Sequence, residues 1–162
     1  MTEPTYAWNQ QRRQMPSRSN ITLCILNMNP AGKIVIGHGD WRAEHIRFLA
    51  DTPVVAFDWD SLCREREPAL IGAVAHGFCA DWSQGDKRQA PSLDEARAFV
   101  RDYERARGKM FSTEERRLCG AHLAYASSYT ARCGHAGGGD ERKTLGTFQH
   151  LVWSERGSLF DV

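Results

Sequence analysis

The chain has no long apolar run and no excess of charge of either sign. No apolar stretch approaches the roughly 18 residues that suggest a membrane span. The formal net charge of the 162 residues is +1, so no strong field favours nucleic acid or a charged surface. The first twenty residues are polar and lack the apolar core of a signal peptide. We therefore expect a cytoplasmic protein with no nucleic-acid partner and no membrane partner.

The sequence also lacks a cysteine framework and a glycine-rich phosphate loop. The five cysteines are odd in number and widely spaced, without a C-x-x-C pair, which indicates reduced thiols. Cys133-Gly134-His135 has no second ligand pair nearby, so it indicates a helix end and not a zinc site. The glycines at 137–139 precede Lys143-Thr144, but Arg142 occupies the position where a P-loop needs glycine. We interpret them as a linker.

Short strand-like segments occupy the part of the chain between Ile34 and Phe57. The β-branched run at 34–36 predicts a short buried strand. The segments at 46–49 and 54–57 predict a hairpin, because only a short polar turn separates them. Arg64-Glu65-Arg66-Glu67 follows as a mixed-charge run, for which we expect a solvated turn, with a substrate-facing loop as the alternative.

From Pro68 onward the apolar period becomes helical. Two capping boxes, Ser92-Leu93-Asp94-Glu95 and Ser112-Thr113-Glu114-Glu115, each predict the start of a helix. Gly108 and Gly134 are the predicted ends of these two helices, and a final short helix is predicted over 144–153. Strands followed by helices indicate an α+β fold that is mostly helical.

The domain organisation follows from these patterns. Residues 1–20 carry no convincing period, and residues 1–33 are predicted to form a poorly structured leader or a remnant linker. Within this leader, Ile21 to Met28 fits either a short strand or a helical turn. Residues 34–162 are predicted to form one domain, which agrees with the length of the chain.

Acidic residues follow two of the predicted strands. His38-Gly39-Asp40 comes after the first strand, and Phe57-Asp58-Trp59-Asp60 ends the hairpin, so that Asp58 follows Asp40 by 18 residues. Carboxylates at strand ends cost burial energy unless they bind something, and two of them together favour a divalent cation. Phosphoryl transfer needs this combination, because one carboxylate accepts the proton of the attacking hydroxyl and another holds the metal.

This pattern resembles the aminoglycoside phosphotransferase and choline kinase family. That family has a histidine-x-aspartate catalytic loop, an asparagine five residues after the aspartate, and a metal-binding aspartate at the end of a later strand. The resemblance implies a protein-kinase-like C-terminal lobe, in which a β-hairpin carries the site and a helical subdomain lies behind it. It further implies transfer of phosphate from ATP, with Mg²⁺, to a hydroxyl of a small molecule such as an aminoglycoside, an amino alcohol or a sugar.

The resemblance also implies a role for each site residue. Asp40 would be the catalytic base, and His38 would brace its loop. Asp58 would be the magnesium ligand, with His45 as a second metal contact. The residues implied in substrate binding are Asp60, Trp59 and Arg42.

The chain departs from the family pattern in two places. His45 stands where the family has asparagine, so that a nitrogen replaces an oxygen beside a hard ion. The nucleotide-binding lobe of a kinase needs roughly 60 residues or more, but only 33 residues precede Ile34, and they lack a G-x-G-x-x-G loop. We therefore expect a C-terminal lobe without its nucleotide lobe.

Two alternatives to a small-molecule kinase stay open. One is a plain helical domain that binds a metal or a small ligand, for which metal binding would not depend on a nucleotide. The other is a non-catalytic protein, a truncated lobe or the remnant of a gene, that acts as an interaction module. A lobe without its lid should expose apolar surface, which favours a homodimer or association with a separate nucleotide lobe.

Overall fold

The structure is a computed structural model that describes residues 31–82, 89–137 and 139–162. Within these residues, four strands precede four α-helices, so the predicted α+β class is confirmed. The predicted leader falls largely outside the described residues, as does the segment from Ile21 to Met28. The strands are β1 (Ile34–His38), β2 (Ile46–Leu49), β3 (Thr52–Ala56) and β4 (Leu62–Arg66), and the helices are α1 (Glu67–Phe78), α2 (Leu93–Arg107), α3 (Thr113–Ala136) and α4 (Phe148–Glu155).

The strands form two small antiparallel sheets. β2 and β3 pair as the predicted hairpin, with a register shift between Arg47 and Phe48. β1 pairs with β4 over five residues, from Ile34 opposite Arg66 to His38 opposite Leu62. The hairpin is therefore inserted between two strands that pair with each other, which brings the residues after β1 close to those before β4.

The prediction of a solvated turn at residues 64–67 is wrong. Residues 64–66 lie in β4, and Glu67 is the first residue of α1 and is buried. The charged residues of β4 show no strand-like apolar pattern. The strand is formed by its pairing with β1, which is far away in the sequence. Pairing at such a distance leaves no local periodic signal.

The prediction of a buried strand at residues 34–36 is wrong. Ile34 and Ile36 are exposed, Ile36 at 76%, and Val35 is only half-buried. The face of β1 that carries Gly37 packs against α1 so closely that a Cβ at Gly37 would lie 2.3 Å from Leu70 Cδ2. Glycine at this position therefore lets the strand lie on the helix.

The helices form the hydrophobic core, which centres on α1 and α3. A Cβ at Gly72 of α1 would lie 1.9 Å from the carbonyl oxygen of Cys119 in α3, so these two helices meet almost backbone to backbone. Burial raises the pKa of the Cys119 thiol to about 12. Among the described residues, no helix has both the length and the apolar character required to cross a membrane.

The helix boundaries agree in part with the predictions. Both predicted capping boxes form, and Gly108 ends α2 in the left-handed conformation with φ 71°. Gly134 does not end α3, which continues to Ala136. The final helix is shorter than predicted and begins after Thr147, whose hydroxyl accepts the backbone N–H of His150 at 3.1 Å.

A buried carboxylate joins the β1–β4 sheet to the helices. Glu67 is 2% exposed and lies where β4 passes directly into α1. Tyr103 of α2 donates its hydroxyl to Glu67 Oε1 at 2.7 Å, and Arg107 pairs with Oε2 at 3.0 Å. Burial and this hydrogen bond raise the pKa of Tyr103 to about 12. The Glu67 N–H also donates to the carbonyl of Lys33 at 2.9 Å, next to β1.

Candidate functional site

The candidate site lies where two loops meet beside the β1–β4 sheet. One loop follows β1 and contains Asp40, and the other follows β3 and contains Asp58. The backbone N–H of Gly39 donates to the carbonyl of Ser61 at 2.9 Å and so ties the two loops together. The site residues are thus neighbours because the paired strands β1 and β4 bring both loops to the same place.

His38 is a buried connection between the two loops. Its Nε2 lies 3.1 Å from the carbonyl oxygen of Phe57. A carbonyl can only accept, so Nε2 carries the proton in this contact, and Nδ1 is the unprotonated nitrogen of the neutral ring. That Nδ1 is buried and has no hydrogen-bond partner. The rings of Trp41 and Trp59 meet the imidazole edge-on, with centroids 5.0 and 5.9 Å away.

His45 connects the two loops beside His38, and the centroids of the two imidazole rings are 5.8 Å apart. Its Nδ1 lies 2.9 Å from the backbone carbonyl of Asp40, and its Nε2 lies 3.8 Å from Asp58 Oδ2. The contact with a carbonyl again assigns one proton to Nδ1, so in the neutral ring Nε2 carries the lone pair and faces the carboxylate.

Asp58 has a backbone conformation that few side chains adopt. Its φ of 65° and ψ of 39° lie in the left-handed region, which aspartate tolerates better than most residues. A 3₁₀ turn follows directly, and within it the Ser61 hydroxyl donates to Asp58 Oδ2 at 3.4 Å. This turn directs the carboxylate toward His45.

The carboxylate of Asp40 pairs with Arg42 and is not part of the cluster of His38, His45 and Asp58. Arg42 Nε donates to Asp40 Oδ1 at 2.8 Å, and the Asp40 side chain keeps 41% of its surface exposed. The guanidinium of Arg42 also lies 4.5 Å from the centroid of the Trp82 ring. Arg42 therefore lies between a carboxylate and an aromatic face, and the Asp40 side chain stays partly exposed beside it.

Trp59 and Asp60 lie at the edge of the site. The indole N–H of Trp59 donates to the carbonyl of Ala56 at 2.8 Å, while the ring is 56% exposed. Asp60 is exposed on the 3₁₀ turn. The substrate-binding roles of Trp59, Asp60 and Arg42 remain predictions.

The structure thus brings three of the sequence-predicted residues into one cluster. His38, His45 and Asp58 each offer one ligand atom, and these atoms all lie within 4.8 Å of one another. Asp40 contributes its backbone carbonyl to this cluster, but its carboxylate pairs elsewhere. Sequence reasoning did not find the contributions of Trp41 and Ser61, because both depend on how the two loops meet.

No protein-family model, no curated protein and no solved structure matches this chain.

Proposed function

We propose that the chain transfers phosphate from ATP to a hydroxyl of a small molecule, an aminoglycoside, another amino alcohol or a sugar, with the help of a divalent cation. One observation carries the proposal. His45 contacts both the loop of Asp40, at 2.9 Å, and the carboxylate of Asp58, at 3.8 Å. The two loops in which the resemblance implies a base and a metal ligand are therefore adjacent.

Asp40 has the exposure that a general base needs. Its carboxylate is partly open to solvent while Arg42 holds it in one orientation. In the proposed reaction, the substrate oxygen attacks the γ-phosphorus of ATP, and its proton passes to Asp40. The bond from the γ-phosphorus to the bridging oxygen breaks, and ADP leaves. Such transfer depends mainly on positioning and on neutralisation of charge.

The resemblance implies Mg²⁺ as the cation, and the donor atoms fit it only in part. Asp58 supplies a carboxylate oxygen, which Mg²⁺ prefers. His45 supplies a nitrogen, which suits softer ions better. In the proposed reaction, Asp58 is therefore the residue that would bind the magnesium ion of the nucleotide.

Transfer of labelled phosphate from ATP to a panel of aminoglycosides, amino alcohols and sugars tests this function. We expect turnover that falls at least about a hundredfold in Asp40→Asn, because general-base catalysis is worth roughly that factor. Asp58→Asn should fall similarly. Asp51→Asn, on the exposed turn of the hairpin, serves as the control and should keep full activity. Turnover that survives Asp40→Asn, or no transfer to any acceptor in the panel, would contradict the proposal.

We propose, as a second candidate, that the β-strand region is a self-association surface. Its apolar residues are largely exposed, with Ile36 at 76%, Leu49 at 74% and Phe48 at 56%. A two-stranded hairpin is only marginally stable in water by itself, and its open strand edges invite pairing. A second copy of the chain offers the same edges and the same apolar side chains, and is therefore a matching partner.

Sedimentation velocity over a range of concentrations tests this candidate. We expect a dimer that dissociates in Leu49→Lys, because a charge cannot be buried there without a partner. Leu145→Lys is the matched control, since Leu145 is 80% exposed but lies outside the strands. A monomer at all concentrations, or equal effects of both substitutions, would exclude the β-strand region as a self-association surface.

A further inference from the structure

Two imidazoles and one carboxylate form a compact donor set in the candidate site. His38, His45 and Asp58 are the one group of three metal-ligating side chains found within residues 31–82, 89–137 and 139–162. The measured pair, His45 Nε2 and Asp58 Oδ2, is 3.8 Å apart. Ligands of one ion at about 2.1 Å lie roughly 3.4 Å from each other in tetrahedral geometry. Small side-chain rotations would therefore bring this pair into position.

Backbone carbonyls prepare both rings for coordination. Phe57 O accepts from His38, and Asp40 O accepts from His45. Each contact fixes the proton on one nitrogen and leaves a lone pair on the other, as hydrogen bonds to metal-ligating histidines do. The unprotonated Nδ1 of His38 is buried without a hydrogen-bond partner, which is costly unless something binds it.

The donor atoms select the type of ion. Mg²⁺ takes oxygen ligands almost exclusively, whereas imidazole suits Zn²⁺, Fe²⁺, Ni²⁺ and Cu²⁺. Two nitrogens and one oxygen thus disfavour Mg²⁺. Three protein ligands also leave at least one position open for water or for an oxygen of a substrate.

We propose that His38, His45 and Asp58 bind a divalent transition-metal ion, with Zn²⁺ as the test case, in preference to Mg²⁺ and without any nucleotide. The proposal concerns the same site as the proposed phosphotransfer and names its metal. It rests on the donor set alone, so that its failure and the failure of phosphotransfer can be separated.

Calorimetric titration of the full chain with Zn²⁺, in excess Mg²⁺ and without ATP, tests the proposal. We expect one ion per chain. Co²⁺ should bind in the same place and give the visible absorption of a site with mixed nitrogen and oxygen ligands, and Zn²⁺ should abolish that absorption. Displacement of Co²⁺ by Mg²⁺ instead would overturn the proposal.

Three substitutions locate the ion. His38→Gln, His45→Asn and Asp58→Asn should each weaken Zn²⁺ binding by more than the roughly 10- to 100-fold that loss of a second-shell partner costs. Asparagine tolerates the left-handed backbone of residue 58, so that variant should keep the fold. His45→Asn should also narrow the preference for Zn²⁺ over Mg²⁺, because it replaces a nitrogen by an oxygen.

The control is the pair of substitutions His135→Gln and Cys133→Ser, at the C-terminal end of α3. Both should leave Zn²⁺ binding unchanged. Loss of binding in this control, or full binding in all three site variants, would show that the ion lies elsewhere. Zn²⁺ binding without phosphate transfer would contradict only the proposed function. Phosphate transfer with Mg²⁺ and without Zn²⁺ binding would contradict only the metal proposal.

Discussion

Glu104 is a negative charge inside the helical core, with none of its side chain exposed. Its Oε1 accepts the backbone N–H of Phe111 at 2.8 Å, and its Oε2 accepts from Arg116 at 2.7 Å. One side chain thereby joins α2, the segment after it and α3. A buried carboxylate is tolerated in this position because both of its oxygens have donors.

Replacement of Glu104 by alanine should therefore destabilise the protein strongly. We expect Glu104→Ala to lower the free energy of unfolding by about 3 kcal/mol, because it leaves the buried N–H of Phe111 without an acceptor and removes the carboxylate that pairs with the partly buried Arg116. Urea unfolding followed by circular dichroism measures the change. Arg101→Ala, on the exposed side of the same helix, should stay within about 0.5 kcal/mol. Equal losses in the two variants would show that the network adds nothing.

The candidate site illustrates what single residues reveal in a sequence. The meeting of the loops that contain Asp40 and Asp58 could be predicted, because each of these residues follows an apolar strand. The ion pair between Asp40 and Arg42 could not be predicted, since a sequence does not show where a side chain points. The position of His38 beside His45 and Asp58 could not be predicted either, because it depends on the contact with Phe57 in the other loop.

At the scale of elements, the capping boxes are the features that the sequence encodes most directly. In each box a serine hydroxyl accepts the backbone N–H of a glutamate three residues later, and that glutamate accepts the backbone N–H of the serine. All of these groups lie within four consecutive residues, so no distant contact is needed. This is why both helix starts could be predicted. The predicted helix end at Gly134 was wrong, because a single glycine can also lie inside a helix, as it does in α3.

The start of α3 gives a measurable consequence. Ser112→Ala removes the acceptor for the N–H of Glu115 and should destabilise the protein by about 1 kcal/mol. Ser112→Asp keeps an acceptor oxygen in that place and should cost much less. Urea unfolding of the two variants measures this difference in stability. Similar midpoints for both would mean that the capping hydrogen bond does not stabilise the helix.

For the whole molecule, the α+β order of elements followed from the change of apolar period near Pro68. The arrangement of the strands did not, because β4 is defined by its partner β1 and not by its own composition. The exposure of the hairpin was likewise invisible, since the same apolar residues would suit a buried strand. Local patterns therefore predicted the elements, and pairing over long distances decided where the site lies.

The direct passage from β4 into α1 has a mechanical consequence. There is no loop between Arg66 and Glu67, and Tyr103 and Arg107 hold Glu67 at this junction. A shift of α1 along its axis must therefore pull β4, and through their five paired positions it must also pull β1 and the imidazole at its end. We therefore expect α1 and the candidate site to move as one rigid unit, because no loop between them can absorb the motion.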